Sequence, residues 1–249
     1  MSLSVPWPQS IEGEVSVLTT SATNSKDARY VLSTTGWISG RPAAFREKLL
    51  DMGRLQRVAA GEVLNIAGST GEGIWGVVSG QIALMSGINS ADAPISLVAN
   101  PGSWMGYAPL FGYPLQVNAN AVIDSVVLRI PFADIRQLLA ENPGWWEHFG
   151  HLAMERLQDV GMLAVDLLLT PPRRRVAAIL LHQSGCRRIG TPASPIYLTQ
   201  ARLGEMASLS RHPVRRILCE FEAKGWIEHS YRCIHVRAAG DMRRLVDDG

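Results

Sequence analysis

Cysteine is scarce in this chain: Cys186, Cys219 and Cys233 are the only three among 249 residues. So sparse and odd a set argues against a disulfide framework, and it falls short of the four thiolates an iron–sulfur cluster usually takes. The three are read as small structural residues. Long apolar runs are missing as well. No stretch of about 18 apolar residues occurs, so no membrane-spanning helix is expected. The opening "MSLSVPWPQSIEGEV" has no basic start followed by an apolar stretch. It is therefore not read as a secretory signal, and a cytoplasmic location is expected. Catalytic signatures are also lacking. There is no nucleophile elbow, no metal-spaced His/Glu motif, and no strand–glycine loop–helix unit followed by Lys-Ser or Lys-Thr. These absences argue against an enzyme, and no cofactor is expected.

What the chain does have is an uneven distribution of charge. The net charge of +2 hides an acidic front and a basic tail. Residues 171–249 carry 14 basic and 7 acidic side chains, a net of +7. The first 170 carry 10 and 15, a net of −5. A small basic unit behind an acidic one points to a polyanion that meets only the tail.

The pattern along the chain changes four times. Residues 1 to about 28 are rich in Ser and Thr with little periodicity, and a loosely attached arm is expected. From about 30 to 130, short apolar runs recur between glycines, as in "GIWGVVSGQIALMSG" and "NANAVIDSVVLRIP". This pattern predicts an all-β sandwich or barrel, with Gly68, Gly71, Gly73, Gly76 and Gly80 as turn residues. Ile135, Leu138 and Leu139 then mark a helix, and Asn142-Pro143 breaks it. Pro143 suits the first turn of a long helix that ends near Thr170, before Pro171-Pro172. Along it, Trp146, Phe149, Ala153, Val160, Leu163 and Leu167 follow 3–4 spacing, with Arg156 interrupting. Leu152, Leu157, Ala164 and Leu168 add a second apolar face. Two stripes suit a helix that packs on its own β domain and on a partner helix; burial inside a monomer gives the same periodicity. His148 and His151, with no nearby Cys or further His, are read as ordinary helix residues.

The tail predicts three helices and a hairpin, the plan of a winged helix-turn-helix. Thr199 is positioned to cap the helix at "QARLGEMA", and Ser210 to cap the next. With Ser210 as N-cap, Pro213 falls in the first turn, where an N–H lacks an intrahelical partner anyway. Leu209 and Val214 then occupy the positions of a hydrophobic staple. Val214, Ile217, Leu218 and Phe221 form the buried face. Arg211 and Arg215 make one exposed row, and His212 and Arg216 the next. Such concentrated positive charge opposes the helix dipole. It has a physical use at a major groove, where Arg bonds guanine bidentately. Thr199 and Gln200 at the preceding helix start, and Arg232 at the hairpin tip, are placed for phosphates.

Taken together, "LTQARLGEMASLSRHPVRRILCEFEAKGWI" and "IRQLLAENP" resemble the CRP/FNR family of bacterial transcription regulators. The resemblance covers about 30 to 240. It implies an α+β chain: an arm over 1–28, a cyclic-nucleotide-binding-type β-roll over 29–142, a dimerisation helix over 143–170 and a winged helix-turn-helix over 171–249. The implied partners are double-stranded DNA with a pseudo-palindromic site, a second copy of the chain as homodimer, RNA polymerase, and a small-molecule effector if one exists. The recognition helix is expected over 210–224.

Departures from the family pattern matter. The family's cyclic-nucleotide cassette has Gly-Glu followed further on by Arg-Ser-Ala. Here Tyr107 stands in the Glu position, Val117 in the Arg position and Asn118 in the Ser position. The adenine-reading Thr-Ser pair of cAMP-responsive members falls on Val160 and Gly161. A buried phosphate without its guanidinium is costly, so cAMP is not expected to be the effector. In the recognition helix His212 replaces a Glu that accepts from cytosine, Pro213 follows it, and Arg215 replaces a small residue. A G-rich target is expected. The alternative is a signal-binding β-roll protein whose DNA domain is vestigial; the arginine cluster argues against it.

Overall fold

In the computed structural model, residues 25–86, 95–230 and 233–248 are described. They fall into two compact units, one ending at Ala153, the other starting at Met154 and taking in strand residues 95–98.

The first unit begins with helix α1 (Ser25–Thr34), a 3-10 turn at Trp37–Gly40 and helix α2 (Ala43–Asp51). These overturn the expectation of β structure from about residue 30. They also pull residues 25–28 out of the expected arm, because Ala28 and Leu32 are buried in the core. The signal is legible in α2, where Phe45, Leu49 and Leu50 follow helical spacing and are buried. Residues 1–24 lie outside the described residues.

Strands β1 (Arg54–Val58), β2 (Val63–Asn65), β3 (Gly73–Ser86), β4 (Ile95–Ala99), β5 (Trp104–Met105) and β6 (Val117–Pro131) follow. The long antiparallel pair β3–β6 is the spine, from Gly73 opposite Pro131 to Ser86 opposite Val117. Strands β1 and β2 pair with β6, and β5 pairs with β3. Gly73 and Gly76, expected in turns, lie inside β3. Gly80 has φ +83° at the register shift, and an added Cβ there would sit 2.2 Å from Ser125 Oγ. Only glycine fits this bulge.

Two apolar clusters hold the unit together. One lies inside the roll, with Trp75, Val77, Ile82, Met105, Ala119 and Val127. The other joins the N-terminal helices to helix α3 (Phe132–Glu141) and the start of helix α4 (Trp146–Leu167). Its aromatic centre packs Trp37 against Trp104 at 5.7 Å, Phe149 at 5.4 Å and Phe45 at 5.8 Å between ring centroids. Trp37 Nε1 donates to the His148 carbonyl at 2.8 Å. Such rings bury large apolar area and add edge-to-face attraction.

His148 is 4% exposed, 4.3 Å from the Phe45 ring, whereas His151 is exposed. Burial lowers the His148 pKa; the Glu147 carboxylate opposes this, while Arg41 and His151 add to it. The folded state thus prefers the neutral ring. Its contribution is complete above the ordinary histidine range and is lost as pH falls through that range to the lowered folded value. The variant His148→Phe is expected to narrow the gap in melting temperature between pH 7.5 and pH 5.5. An unchanged gap would show that His148 does not carry the acid sensitivity.

In the second unit, α4 continues to Leu167, followed by helices α5 (Pro172–Gln183), α6 (Gln200–Ala207) and α7 (Arg211–Ala223). Strands β7 (Ile227–Ser230) and β8 (Cys233–Val236) form a hairpin, and helix α8 (Ala239–Asp248) closes the fold against α5. The core of α5 is Val176, Ala177, Ile179, Leu180 and Leu181, all fully buried.

Candidate nucleic-acid interface

The interface is built from the end of one helix and the start of the next. Thr199 has extended backbone geometry and its Oγ1 accepts the Arg202 N–H at 3.2 Å, the expected cap of α6. Ser208 then turns left-handed, with φ +52°, and the Leu209 N–H donates to the Gly204 carbonyl at 2.8 Å. An added Cβ on Gly204 would lie 2.7 Å from the Leu209 carbonyl oxygen. Both are backbone-anchored, so neither can swing aside. The variant Gly204→Ala is expected to lose about 1–3 kcal/mol of stability by overpacking, read by chemical denaturation. A variant as stable as the parent would show that the turn has slack.

Helix α7 starts at Arg211 with Ser210 in the N-cap position, as expected. Its side chain makes no capping hydrogen bond, which corrects the expected cap. The start is instead held from beneath: Val214 is fully buried and Leu209 half-buried. Ile217, Leu218 and Phe221 complete the buried face. Phe221 packs 5.5 Å from Trp226, which leads into β7.

Opposite that face, Arg211, His212, Arg215 and Arg216 are exposed. Among the described residues, no carboxylate pairs with any of these arginines. Of the acids nearby, Glu220 pairs with Lys224 at 2.8 Å and Glu205 with Arg202 at 2.9 Å, while Glu222 shares the arginines' cleft and accepts the His229 N–H at 3.4 Å. Arg211 and Arg215 line a cleft of about 310 Å³ with Gln200, Cys219, Glu222 and His229. Arg211 and Arg215 on α7 thus share one cleft with Gln200 at the start of α6. Cys219 and Glu222 continue the Arg211–Arg215 row at helical spacing, a signal the sequence does carry. His229 reaches the cleft only through tertiary folding. The hairpin pairs Ile227 with Val236 and Ser230 with Cys233, and Arg232 at its tip lies outside the described residues.

An N-terminal roll ahead of an exposed basic helix on a winged helix-turn-helix is the arrangement that comparison with known proteins identifies. Residues 55–142 match the cyclic nucleotide-binding domain model, and residues 174–245 match the Crp-like helix-turn-helix domain model. The chain belongs to the CRP/FNR family of transcription regulators. Among its relatives, this CRP/FNR chain is 26% identical to the HTH-type transcriptional regulator Cmr of Mycobacterium tuberculosis (strain CDC 1551 / Oshkosh), over 76% of this chain and 75% of the relative. It is 22% identical to the CRP-like cAMP-activated global transcriptional regulator of the same organism, over 75% and 84%. The fold resembles that of FixK2 from Bradyrhizobium japonicum, with a TM-score of 0.62 and 17% identity over 78% and 96% of the chains. It also resembles a CRP/FNR family transcriptional regulator from Thermus thermophilus, with a TM-score of 0.56 and 19% identity over 78% and 98%. No helix among the described residues is long and apolar enough to cross a membrane.

Within this CRP/FNR chain, the three residues that the resemblance aligns with an effector cassette take these places in the fold. Tyr107 is half-buried and packs on the aromatic core. Val117 opens β6 opposite Ser86. Asn118 Oδ1 accepts the Ala67 N–H at 2.8 Å and so anchors the turn after β2.

The long helix corrects part of the expected seam. Phe149 is fully buried in the aromatic core, and Leu163 is buried too. Neither lies on an open stripe. Ala153 is half-buried, and Arg156, also half-buried, pairs with Asp159 at 3.7 Å. Val160 and Leu167 are exposed as a seam requires. The exposed side of α4 instead carries Met154, Leu157, Gly161, Ala164 and Val165, with Leu157 63% exposed, and Leu168, just past the helix end, is 81% exposed. Spacing alone puts Leu152, Leu157, Ala164 and Leu168 on the second face, of which Leu152 is buried in the aromatic core. The helix does carry two stripes, but burial exchanges much of their roles.

Proposed function

We propose that the chain is a homodimeric, sequence-specific regulator that places α7 in the major groove of a pseudo-palindromic DNA site. The observation that carries this reading is the cluster Arg211, Arg215 and Arg216, exposed at the start of α7 with no described carboxylate partner. Unpaired cations there work against the helix dipole and against each other. Phosphates and guanine edges relieve that cost. Thr199, Gln200, Ser210 and Arg232 supply backbone contacts around the groove, and His212 faces the base that a glutamate reads in relatives. Two α4 helices pair along Leu157, Gly161 and Ala164, with Leu168 just beyond, which spaces two half-sites by roughly 34 Å. RNA polymerase is the partner on the promoter.

The protein is not controlled by cAMP. Val117 brings no guanidinium to a cyclic phosphate, Tyr107 brings no carboxylate to a ribose, and Asn118 is spent on Ala67. An effector, if there is one, has other chemistry.

Selection of bound sequences from a random DNA pool, followed by salt titration of the winner, tests the reading. A two-half-site DNA and a linear fall of log affinity with log salt are expected. Adding millimolar cAMP leaves that affinity unchanged. Absence of salt-dependent binding to any DNA refutes the DNA-binding role, and tightening by cAMP refutes the second claim.

A further inference from the structure

A charged group sits where the helix dipole and burial both disfavour it. Asp166 is one residue from the end of α4, where the helix dipole repels a carboxylate. It is also 4% exposed, so its ionised form loses most of its hydration. The side chains around it compensate. His182 Nε2 on α5 lies 2.8 Å from Asp166 Oδ2. Arg187, in the loop after α5, donates from Nε to Oδ2 at 2.8 Å and from Nη2 to Oδ1 at 3.2 Å. The same Nη2 reaches Asp247 Oδ1 on α8 at 2.7 Å. Burial works to raise the Asp166 pKa, but the hydrogen bonds from His182 and Arg187 prevail and hold it below the usual range. One carboxylate thus ties α4, α5 and, through Arg187, α8.

The next residue makes a second hold. Arg188 Nη2 pairs with Asp159 Oδ1 at 2.8 Å and donates to the Glu155 carbonyl at 3.1 Å. Asp159 and Asp166 are seven residues apart on one side of α4, about 10 Å along its axis. A single hold would be a pivot. Two holds at that separation fix both the position and the rotation of the helix against the winged helix-turn-helix. A buried apolar patch of equal volume would be at least as stable, but it would let the helix slide. A bidentate arginine–carboxylate pair has a set geometry and resists sliding.

We propose that Asp166, His182, Arg187 and Asp247, with the Arg188–Asp159 pair, form a latch that fixes the end of α4 to the winged helix-turn-helix and thereby sets the spacing between the two recognition helices of the dimer. These are positioning residues; none of them touches DNA. The latch rests on the homodimer reading above, because only a dimer has a spacing to set. Adding one base pair between half-sites moves them by about 3.4 Å and turns one by about 34°. A held module rejects such a site, and a loose one accepts it.

The experiment uses full-length protein and the selected DNA site, with the spacer unchanged, shortened by one base pair and lengthened by one, plus a single half-site. Affinities are read by fluorescence anisotropy, and thermal melting reports folding. Asp166→Asn removes the charge without changing shape. Arg188→Gln breaks the outer hold at a pair that is less buried than Asp166, so it keeps the test open if Asp166→Asn fails to fold. The parent is expected to prefer the unchanged spacer by at least tenfold. Each folded variant is expected to reduce that preference by about fivefold or more, with half-site affinity unchanged, and Arg188→Lys restores it. A general loss of stability lowers affinity for all spacers alike and does not change the ratio. A parental preference that persists in every folded variant overturns the latch alone. A parent with no two-half-site DNA overturns the homodimer reading, and the latch with it.

Discussion

The triple variant Arg211→Ala, Arg215→Ala, Arg216→Ala is expected to bind the selected DNA on the order of a thousandfold more weakly than the parent. A bidentate arginine–guanine contact is worth about 1–3 kcal/mol, and a phosphate contact contributes to the salt slope by about one. Three such losses combine to several kcal/mol. The slope of log affinity against log salt should become less steep by about three. The fold should survive, because all three side chains are exposed and none pairs with a described carboxylate. Removing like charges from the positive end of α7 relieves repulsion, so the melting temperature should stay level or rise. Anisotropy titrations at several salt concentrations, with circular dichroism as the folding control, decide the matter. A folded triple variant that still binds would mean that α7 does not face DNA.

A second pair of variants separates the two faces of α4. Phe149→Ala is expected to cost about 3–5 kcal/mol, since it empties the centre of a buried aromatic cluster. It acts within one chain, so the loss is independent of protein concentration once dimerisation is accounted for. Leu157→Asp does the reverse. Leu157 is 63% exposed, so a carboxylate there leaves the monomer's core untouched. Across a helix pair, two such carboxylates would be desolvated side by side, and the dimer should fall apart. Light scattering is expected to give the mass of one chain for Leu157→Asp. A dimeric Leu157→Asp, or a Phe149→Ala as stable as the parent, would return the seam to the Phe149 face.

Periodicity finds the elements of the tail because each helix there is amphipathic on its own. Val214, Ile217, Leu218 and Phe221 are buried as their spacing requires. The caps are legible in part. Thr199 does accept a backbone N–H, whereas the Ser210 side chain does not. Of the helices before the roll, α2 carries a legible spacing at Phe45, Leu49 and Leu50, whereas α1 adjoins a Ser/Thr-rich opening with little periodicity. Ala28, Leu32, Phe45 and Leu49 belong to the same core as Phe149, a hundred positions or more later. Nothing local marks that partnership.

Local pattern by itself determined the order of β-rich region, long helix and winged helix-turn-helix and the basic cluster on α7; the absence of the cyclic-nucleotide groups at Tyr107, Val117 and Asn118 is what the family resemblance implies. Those features depend on residue type and spacing within a few turns or strands. Tertiary structure alone decided which stripe of α4 stays open, how Gln200, Arg211, Arg215 and His229 share one cleft, and that Asp166 meets His182 and Arg187, which in turn meets Asp247. The reason is the same in each case. A 3.6-residue period shows that two faces exist, but burial assigns them partners, and a charge that looks ordinary in the sequence gains a role only when distant elements enclose it.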